Sequence, residues 1–434
     1  MARLIGDMVR SFGLPALKRA AGAITRRMPI PQPLLMVGPG ASARLGQTIG
    51  AFAHRKILVV TDRTISGLGL MEPMTEALAA GGTAFVVFDR VVADAPIPVV
   101  EEGIALFREE ACDAIVAFGG GSVMDTAKAV GLAAANDKHP RDLVGYFRGL
   151  HGSVPIYAVP TTAGTGSEVT VAAVISDPAD HRKLVIADTR IVPCMAALDP
   201  CLMTGVAAAV TAATGMDALT HAVEAYIGRW STEFTDRMAL AAVGMIYRNL
   251  PIAFADGSDL AAREQMALAS TFAGLAFTRA NVGNVHAIAH QLGGLYHTPH
   301  GLANAIMLPI VLRFSGASIQ AKLAALALRA RLGGPGESKA GLARKFVESV
   351  GDLNLSLGIP RHLDALREED ISELARAACR EADANYPVPC VMSREACEAL
   401  LREALPMRTR TRLTAPGKRS AAKKTAHRRA PDHG

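Results

Sequence analysis

Ala114-Ile-Val-Ala-Phe-Gly-Gly-Gly-Ser-Val-Met-Asp125 decides the architecture. Its first five residues are apolar without alternation, which predicts a strand buried on both faces. Three glycines end the strand, and a helical stretch over 122–135 follows. The same grammar recurs on either side. Leu34–Val37 runs into Gly38-Pro-Gly40, Lys56–Thr61 into Asp62, Ala84–Phe88 into Asp89, and Pro155–Val159 into Pro160-Thr-Thr-Ala-Gly-Thr-Gly166, with another helical stretch at 97–111. Apolar strands alternating with helices predict a parallel sheet covered on both faces, an α/β fold of the dinucleotide-binding, Rossmann-like kind. Ligands of such sheets bind at the carboxyl ends of the strands, where these Gly, Thr and Asp residues fall.

From about residue 206 the pattern changes to a 3.6-residue period with no strand alternation up to 405, predicting an all-helical second domain. The expected division is a basic extension at 1–30, an α/β domain at 31–205, a helical domain at 206–407 and a basic, disordered tail at 408–434. Residues 1–30 carry a rough amphipathic stripe and read as a basic arm on a cytosolic protein rather than an organellar presequence. The net charge of +6 over 434 residues is not spread evenly: the ends carry +5 and +8, and the body carries −7. A polyanion partner suggested by the overall charge therefore concerns only the ends. The tail has no aromatic residue for base stacking, which disfavours nucleic-acid binding. No uninterrupted apolar run reaches the ~18 residues of a membrane span, so no membrane partner is expected. Six scattered cysteines without a CxxC pair make a disulfide framework unexpected and a cytoplasmic location the default.

Two groups of residues point to chemistry. In the α/β half, Gly119, Gly120, Gly121 and Ser122 stand between strand and helix. Glycines there let a phosphate approach the backbone, and the helix amino terminus offers unpaired N–H groups. Asp125, one turn in, suits either a cap or a ribose hydroxyl. Thr161, Thr162, Thr165, Ser167 and Glu168 cluster after another strand, where small hydroxyls and glycines suit a polyhydroxy or phosphate ligand. Asp62 ends a strand where a carboxylate binds an adenosine ribose diol and repels a 2′-phosphate, favouring NAD over NADP. In the helical half, Asp217 and His221 are spaced i, i+4 and share a helix face, as do His286 and His290, with His297 and His300 close behind. A helix end is expected at Gly293-Gly294, before His300. An oxygen with two or three imidazoles suits Fe(II), Zn(II), Mn(II) or Co(II). The candidates outnumber four positions, so at least one histidine has another role.

Together these motifs resemble the iron-dependent (group III) alcohol dehydrogenases over about 34–405. The resemblance rests on Gly119–Asp125, Pro160–Glu168, Asp217-Ala-Leu-Thr-His221, His286-Ala-Ile-Ala-His290 and Pro299-His300-Gly301. It implies a dehydroquinate synthase-like architecture and an NAD(H)-linked, metal-dependent interconversion of an alcohol with an aldehyde or ketone. Asp217, His221, His286 and His300 would be the metal ligands, for Fe(2+) or for Zn(2+) or another divalent ion. His290 would be the nearby non-ligand histidine, a candidate in proton transfer. Gly119, Gly120, Gly121 and Ser122 would bind the pyrophosphate. Asp125, Thr161, Thr162 and Thr165 would meet the nicotinamide ribose and phosphate, and Lys183 would be a cofactor-side lysine. Asp62 falls at the position associated with NAD preference, and Leu34–Val37 resembles the strand through which family dimers pair. A homodimer or higher homo-oligomer is the expected assembly.

Two departures stand out. Val91-Val-Ala-Asp-Ala95 replaces the common Val-Val-Pro-Asn-Pro, so Asp94 is assigned no cofactor contact. Thr278-Arg-Ala-Asn-Val-Gly-Asn284 replaces an apolar, Gly-rich segment, and a polar or anionic substrate follows if Arg279, Asn281 or Asn284 faces the pocket. The rival readings are a hydroxyacid–oxoacid transhydrogenase or 4-hydroxybutyrate dehydrogenase of the same superfamily, a nucleic-acid-associated protein using the tail, and a metal-binding sensor without turnover.

Overall fold

The computed structural model describes residues 28–179 and 182–406. The expectations about the tail at 408–434, and nearly all of those about the extension at 1–30, lie outside the described residues.

Six parallel strands form the main sheet: β1 (Leu34–Val37), β2 (Lys56–Val60), β3 (Ala84–Phe88), β4 (Ala114–Gly119), β6 (Ile156–Pro160) and β9 (Met195–Leu198). Their spatial order is β1-β9-β6-β4-β2-β3. Strand side chains alternate between faces. Ile57 and Val59 pack with Val116 and Phe118 against α1 (Ala41–Gly50) and α3 (Glu72–Ala80). Leu58 and Val60 pack with Ile115 and Ala117 against α4 (Ile97–Glu109) and α5 (Gly121–Asn136). Both faces are covered, which is why the central strands are apolar from Ile57 to Val60 and from Ala114 to Phe118. The short helix α2 (Arg63–Gly67) follows β2.

Two parts of the α/β half were not expected. Strand β9 is the Ala-rich Met195-Ala-Ala-Leu198, inserted between β1 and β6. It is too short and too poor in β-branched residues to signal itself locally. A second sheet joins β5 (Gly145–Tyr146), β8 (Arg182–Ala187) and β7 (Ala172–Asp177), with β7 and β8 antiparallel.

Helices follow: α6 (Ala208–Ile227), α7 (Glu233–Ala255), α8 (Leu260–Ala280), α9 (Asn284–Tyr296), α10 (His300–Arg329), α11 (Lys339–Ser356), α12 (Ile371–Asn385) and α13 (Arg394–Glu403). Their apolar faces merge into one core. By length and composition α7 and α10 could each cross a membrane, but both pack against neighbours in this bundle. The expected helix end at Gly293-Gly294 is corrected: α9 continues to Tyr296, and His297 ends it in the left-handed region at φ 53°. Val285, Ile288, Ala289 and Leu292 are buried on α9, and this packing overrides the weak local preference of two glycines against helix.

Two close backbone approaches fix the halves and the helices. Gly166, at φ +60°, lies on Gly274 of α8, where a Cβ would come within 2.8 Å of its Cα. A Cβ on Gly301 would meet the Ala213 carbonyl at 2.2 Å, so only glycine lets the start of α10 reach α6.

Candidate active site

Strands β2, β4 and β6 end side by side, and each hands its chain to a polar turn. Asp62 caps α2: its Oδ1 accepts from the Thr64 and Ile65 N–H groups at 2.9 and 3.0 Å. Gly120 is the N-cap of the sixteen-residue α5, and no side chain caps that end. The first-turn N–H groups are thus available to an anion. The three glycines differ in purpose. A Cβ on Gly119 would strike Val123 at 2.7 Å, and one on Gly121 would strike Thr165 at 2.7 Å, whereas one on Gly120 would meet Thr162 at an ordinary 3.5 Å. Packing demands the outer two; the middle one leaves the cradle open.

The predicted cofactor residues fall around this turn. The Thr161 N–H donates to the Gly119 carbonyl, and Thr165 Oγ1 accepts from the Ser167 N–H at 3.2 Å. Ser122 Oγ accepts from the Asp94 N–H at 3.2 Å, and the Asp94 carboxylate pairs with Lys183 Nζ at 2.9 Å. Asp94, in the left-handed region at φ 64°, is thus bonded to both Ser122 and Lys183. Lys183 Nζ lies 3.9 Å from where a Cβ on Gly293 would sit, so it spans from the small sheet to α9. Asp125 is not a helix cap. Its Oδ1 accepts from Ser167 Oγ at 3.0 Å, beside the fully buried Lys128. Burial raises Asp125 above the usual carboxylate range, with Lys128 pulling back.

Across the cleft, Asp217 and His221 on α6, His286 on α9 and His300 at the start of α10 each offer one ligand atom, all within 4.8 Å of one another. Burial lowers all three imidazoles: His286 well below its ordinary value, His300 to about 4, and His221 despite Asp217 pulling it up. They are neutral near pH 7, the form that binds metals. His221 Nδ1 is buried with no hydrogen-bond partner. An orphaned imidazole nitrogen, two further imidazoles and a carboxylate around one point fit a borderline divalent cation. The His221 ring is sandwiched between Phe277 at 4.2 Å and His286 at 4.6 Å.

Two residues that complete the cluster were not anticipated. Asn304, fully buried one helical turn after His300, donates from Nδ2 to Asp217 Oδ1 at 2.7 Å, and the same Nδ2 lies 3.1 Å from His300 Nε2 and 3.2 Å from His286 Nε2. Its i, i+4 spacing from His300 was the available signal. Glu224, two turns after Asp217, accepts from the Val285 N–H at 2.7 Å, the Gly283 N–H at 2.9 Å and His286 Nδ1 at 2.6 Å. It caps α9 from another helix and leaves His286 Nε2 for the cluster. Burial pushes it up to about 7 against these donors.

His290 is outside the four-atom convergence but stacks on His300, with ring centroids 5.3 Å apart and planes 18° apart. The segment before His286 is engaged elsewhere. Arg279 donates to the Ile30 carbonyl at 2.9 Å and lies over the Phe234 ring at 5.1 Å. Asn281 donates to the Asn385 carbonyl and Asn284 to the Cys390 carbonyl. Arg279 thus has one guanidinium nitrogen on the Ile30 carbonyl and its Nη1 buried without a partner among the described residues.

A strand-end phosphate cradle facing a buried Asp/His cluster defines a protein able to bring a dinucleotide against a metal-polarised substrate. Comparison with known proteins agrees. Residues 33–200 match the family described as iron-containing alcohol dehydrogenase, and residues 211–405 match the carboxy-terminal part of the Fe-containing alcohol dehydrogenase family. The 1,3-propanediol dehydrogenase of Klebsiella pneumoniae is 41% identical over 351 residues, 80% of this chain and 91% of that protein. The NAD-dependent methanol dehydrogenase of Bacillus methanolicus is 39% identical over 348 residues, 80% of this chain and 91% of that protein. A crystal structure of 1,3-propanediol oxidoreductase superposes with TM-score 0.83 at 39% identity, covering 87% of this chain and 100% of that one. The chain belongs to the iron-containing alcohol dehydrogenase family. It is an NAD(H)-linked alcohol–aldehyde oxidoreductase, in a family that uses a divalent metal.

Proposed function

We propose that the protein interconverts a small, uncharged alcohol or diol with its aldehyde, and that Asp217, His221, His286 and His300 hold iron(II) or another divalent ion. The convergence of these four side chains carries the reading. The bound ion would supply Lewis-acid polarisation of the substrate oxygen. The chain's own residues do the rest. The cradle at Gly119–Ser122, the turn at Thr161–Thr165 and Lys183 bind and orient the dinucleotide, with Asp125 holding that turn through Ser167. Glu224 keeps His286 in one tautomer. His290 carries the alcohol proton. The work is divided between an α/β unit at 31–205 and a helical unit at 206–407. The substrates named for the relatives, 1,3-propanediol and methanol, support small alcohols, and Arg279's engagement elsewhere supports an uncharged one. A cytoplasmic location is supported by six free cysteines. A homodimer is supported by β1, an edge strand whose Leu34 is exposed.

The test is an NADH-absorbance screen of alcohols, diols, aldehydes and hydroxy acids on protein reconstituted with Fe(II) or Zn(II). Small diols or primary alcohols are expected to reduce NAD only in the metal-loaded protein. Turnover confined to hydroxy acids overturns the substrate assignment.

Asp62 gives a separate expectation. Asp62→Gly removes a carboxylate that would face a 2′-phosphate, while glycine remains an acceptable N-cap, costing only a few tenths of a kcal/mol. The NADP/NAD ratio of kcat/KM should rise about tenfold, equivalent to ~1.4 kcal/mol. An unchanged ratio removes Asp62 from the cofactor site.

A further inference from the structure

The geometry points to Glu381 as a positioning residue for His290, itself clamped by Tyr386 and Gln291. Glu381 Oε1 accepts from His290 Nδ1 at 2.6 Å and from the Tyr386 hydroxyl at 2.6 Å, and Oε2 accepts from Gln291 Nε2 at 2.6 Å. Three donors, two from α9 and one from the segment after α12, hold one carboxylate. Burial pushes Glu381 up, but these hydrogen bonds outweigh it and keep the group below its ordinary range. Tyr386 is raised well above its ordinary value by burial and by Glu381, so it remains a donor. An ionised carboxylate at Nδ1 fixes the Nδ1–H tautomer and leaves the lone pair on Nε2, at the opposite edge of the ring. The stacking of His290 on His300 puts that ring beside the ligand cluster. Its side chain is 22% exposed, which leaves a route to water.

The inference rests on the assignment of His290 to proton transfer. In the oxidative direction the alcohol C–H pair leaves as hydride to NAD, the O–H proton goes to His290 Nε2, and the C=O bond forms; water then takes the proton. Glu381 touches none of the reacting atoms. Its role is to orient the ring and set which nitrogen carries the hydrogen. The carbon skeleton that holds it, α12 packed on α9, brings this carboxylate to the site from 91 residues downstream of His290.

Steady-state kinetics and bound-metal content of Glu381→Gln, Tyr386→Phe, His290→Ala and the Glu381→Gln/His290→Ala double variant test this. An amide cannot accept from all three donors, because its own NH₂ faces one of them. Glu381→Gln should lower kcat about 10- to 100-fold, with metal content unchanged and the KM for NAD within about twofold. Tyr386→Phe should lower kcat less, by about threefold, since it removes one of the three donors. In the His290→Ala background Glu381→Gln should cost under about twofold, since it acts through the missing ring. Wild-type kcat in Glu381→Gln beside a slow His290→Ala overturns the inference and spares the assignment of His290. An equal cost in both backgrounds also overturns it. Wild-type kcat in His290→Ala overturns the assignment, and the inference with it.

Discussion

Asp217→Ala is expected to abolish metal retention and lower kcat/KM by at least about 10³-fold, ~4 kcal/mol of transition-state stabilisation. The magnitude follows from charge. Asp217 is the single anionic member of a cluster whose three other members are imidazoles held neutral by burial. Without it the ion would meet only neutral nitrogens and the Asn304 amide. The loss is not expected to spread. Among the described residues Asp217 accepts from Asn304 on α10, and α6 is anchored by the core through Met216, Leu219 and Val223. NADH binding, monitored by fluorescence, should persist because the cradle at Gly119–Ser122 is built in the other half. Metal analysis, kinetics and circular dichroism together make the check. A folded, metal-free variant with wild-type turnover would refute the assignment, and so would one that keeps a full equivalent of metal.

How much of this site was legible depends on how each residue announces its role. The glycine turn was legible because it interrupts an apolar run at a fixed place, and a strand end is where α/β folds bind ligands. Asp217 with His221, and His286 with His290, were legible as a chemical type with helical spacing, whereas the choice of His286 and His300 as the other two ligands came from the family resemblance. Convergence of the four ligands also needs Gly301, whose missing Cβ lets α10 approach α6, and spacing alone does not reveal that contact. Glu224 looked like an ordinary polar residue on α6; its meaning appears only when the first turn of α9 packs against it. Glu381 sits 91 residues from its partner His290, so local pattern carries no signal of the pair. Arg279 shows the converse case, a charge that spacing alone could not assign to substrate or scaffold. Its charge drew attention toward a substrate, while in the fold its guanidinium serves the Ile30 carbonyl and the Phe234 ring. In the fold itself, strands with β-branched residues were readable. Strand β9 was not, because its place between β1 and β6 is set by pairing with distant residues such as Leu34 and Tyr157.

Lys128 was also invisible in the sequence, and its replacement should cause the largest loss of stability. It stands on α5 with no exposed surface, and its Nζ lies 2.6–3.0 Å from five oxygens, the carbonyls of Ser167, Thr170 and Ala172 and the hydroxyls of Ser167 and Thr170, among which its three N–H bonds are shared. The same ammonium faces the carboxylates of Asp125 and Glu168, both raised above their ordinary range by burial and drawn back by Lys128. Lys128→Met keeps much of the chain length but removes the ammonium from three carbonyls, of which Ser167's keeps only the Thr170 N–H and hydroxyl, and leaves two carboxylates without their cation. Breaking such a group by removing one partner costs about 3–5 kcal/mol. The turn at Ser167–Thr170 should shift with it, raising the KM for NAD, because Ser167 links this cluster to Asp125 and its N–H bonds Thr165. The pH dependence gives an independent sign. Burial lowers the folded lysine to about 8 from 10.5. Between those values the unfolded chain holds the extra proton, so the wild type gains stability from this group as pH rises from 8 towards 10.5. The variant lacks that gain. Urea denaturation at pH 8 and pH 10 should therefore show the wild type ahead at both, by more at pH 10. A variant of equal stability, or a gap that narrows with rising pH, would mean that the five oxygens around Nζ do not hold this turn.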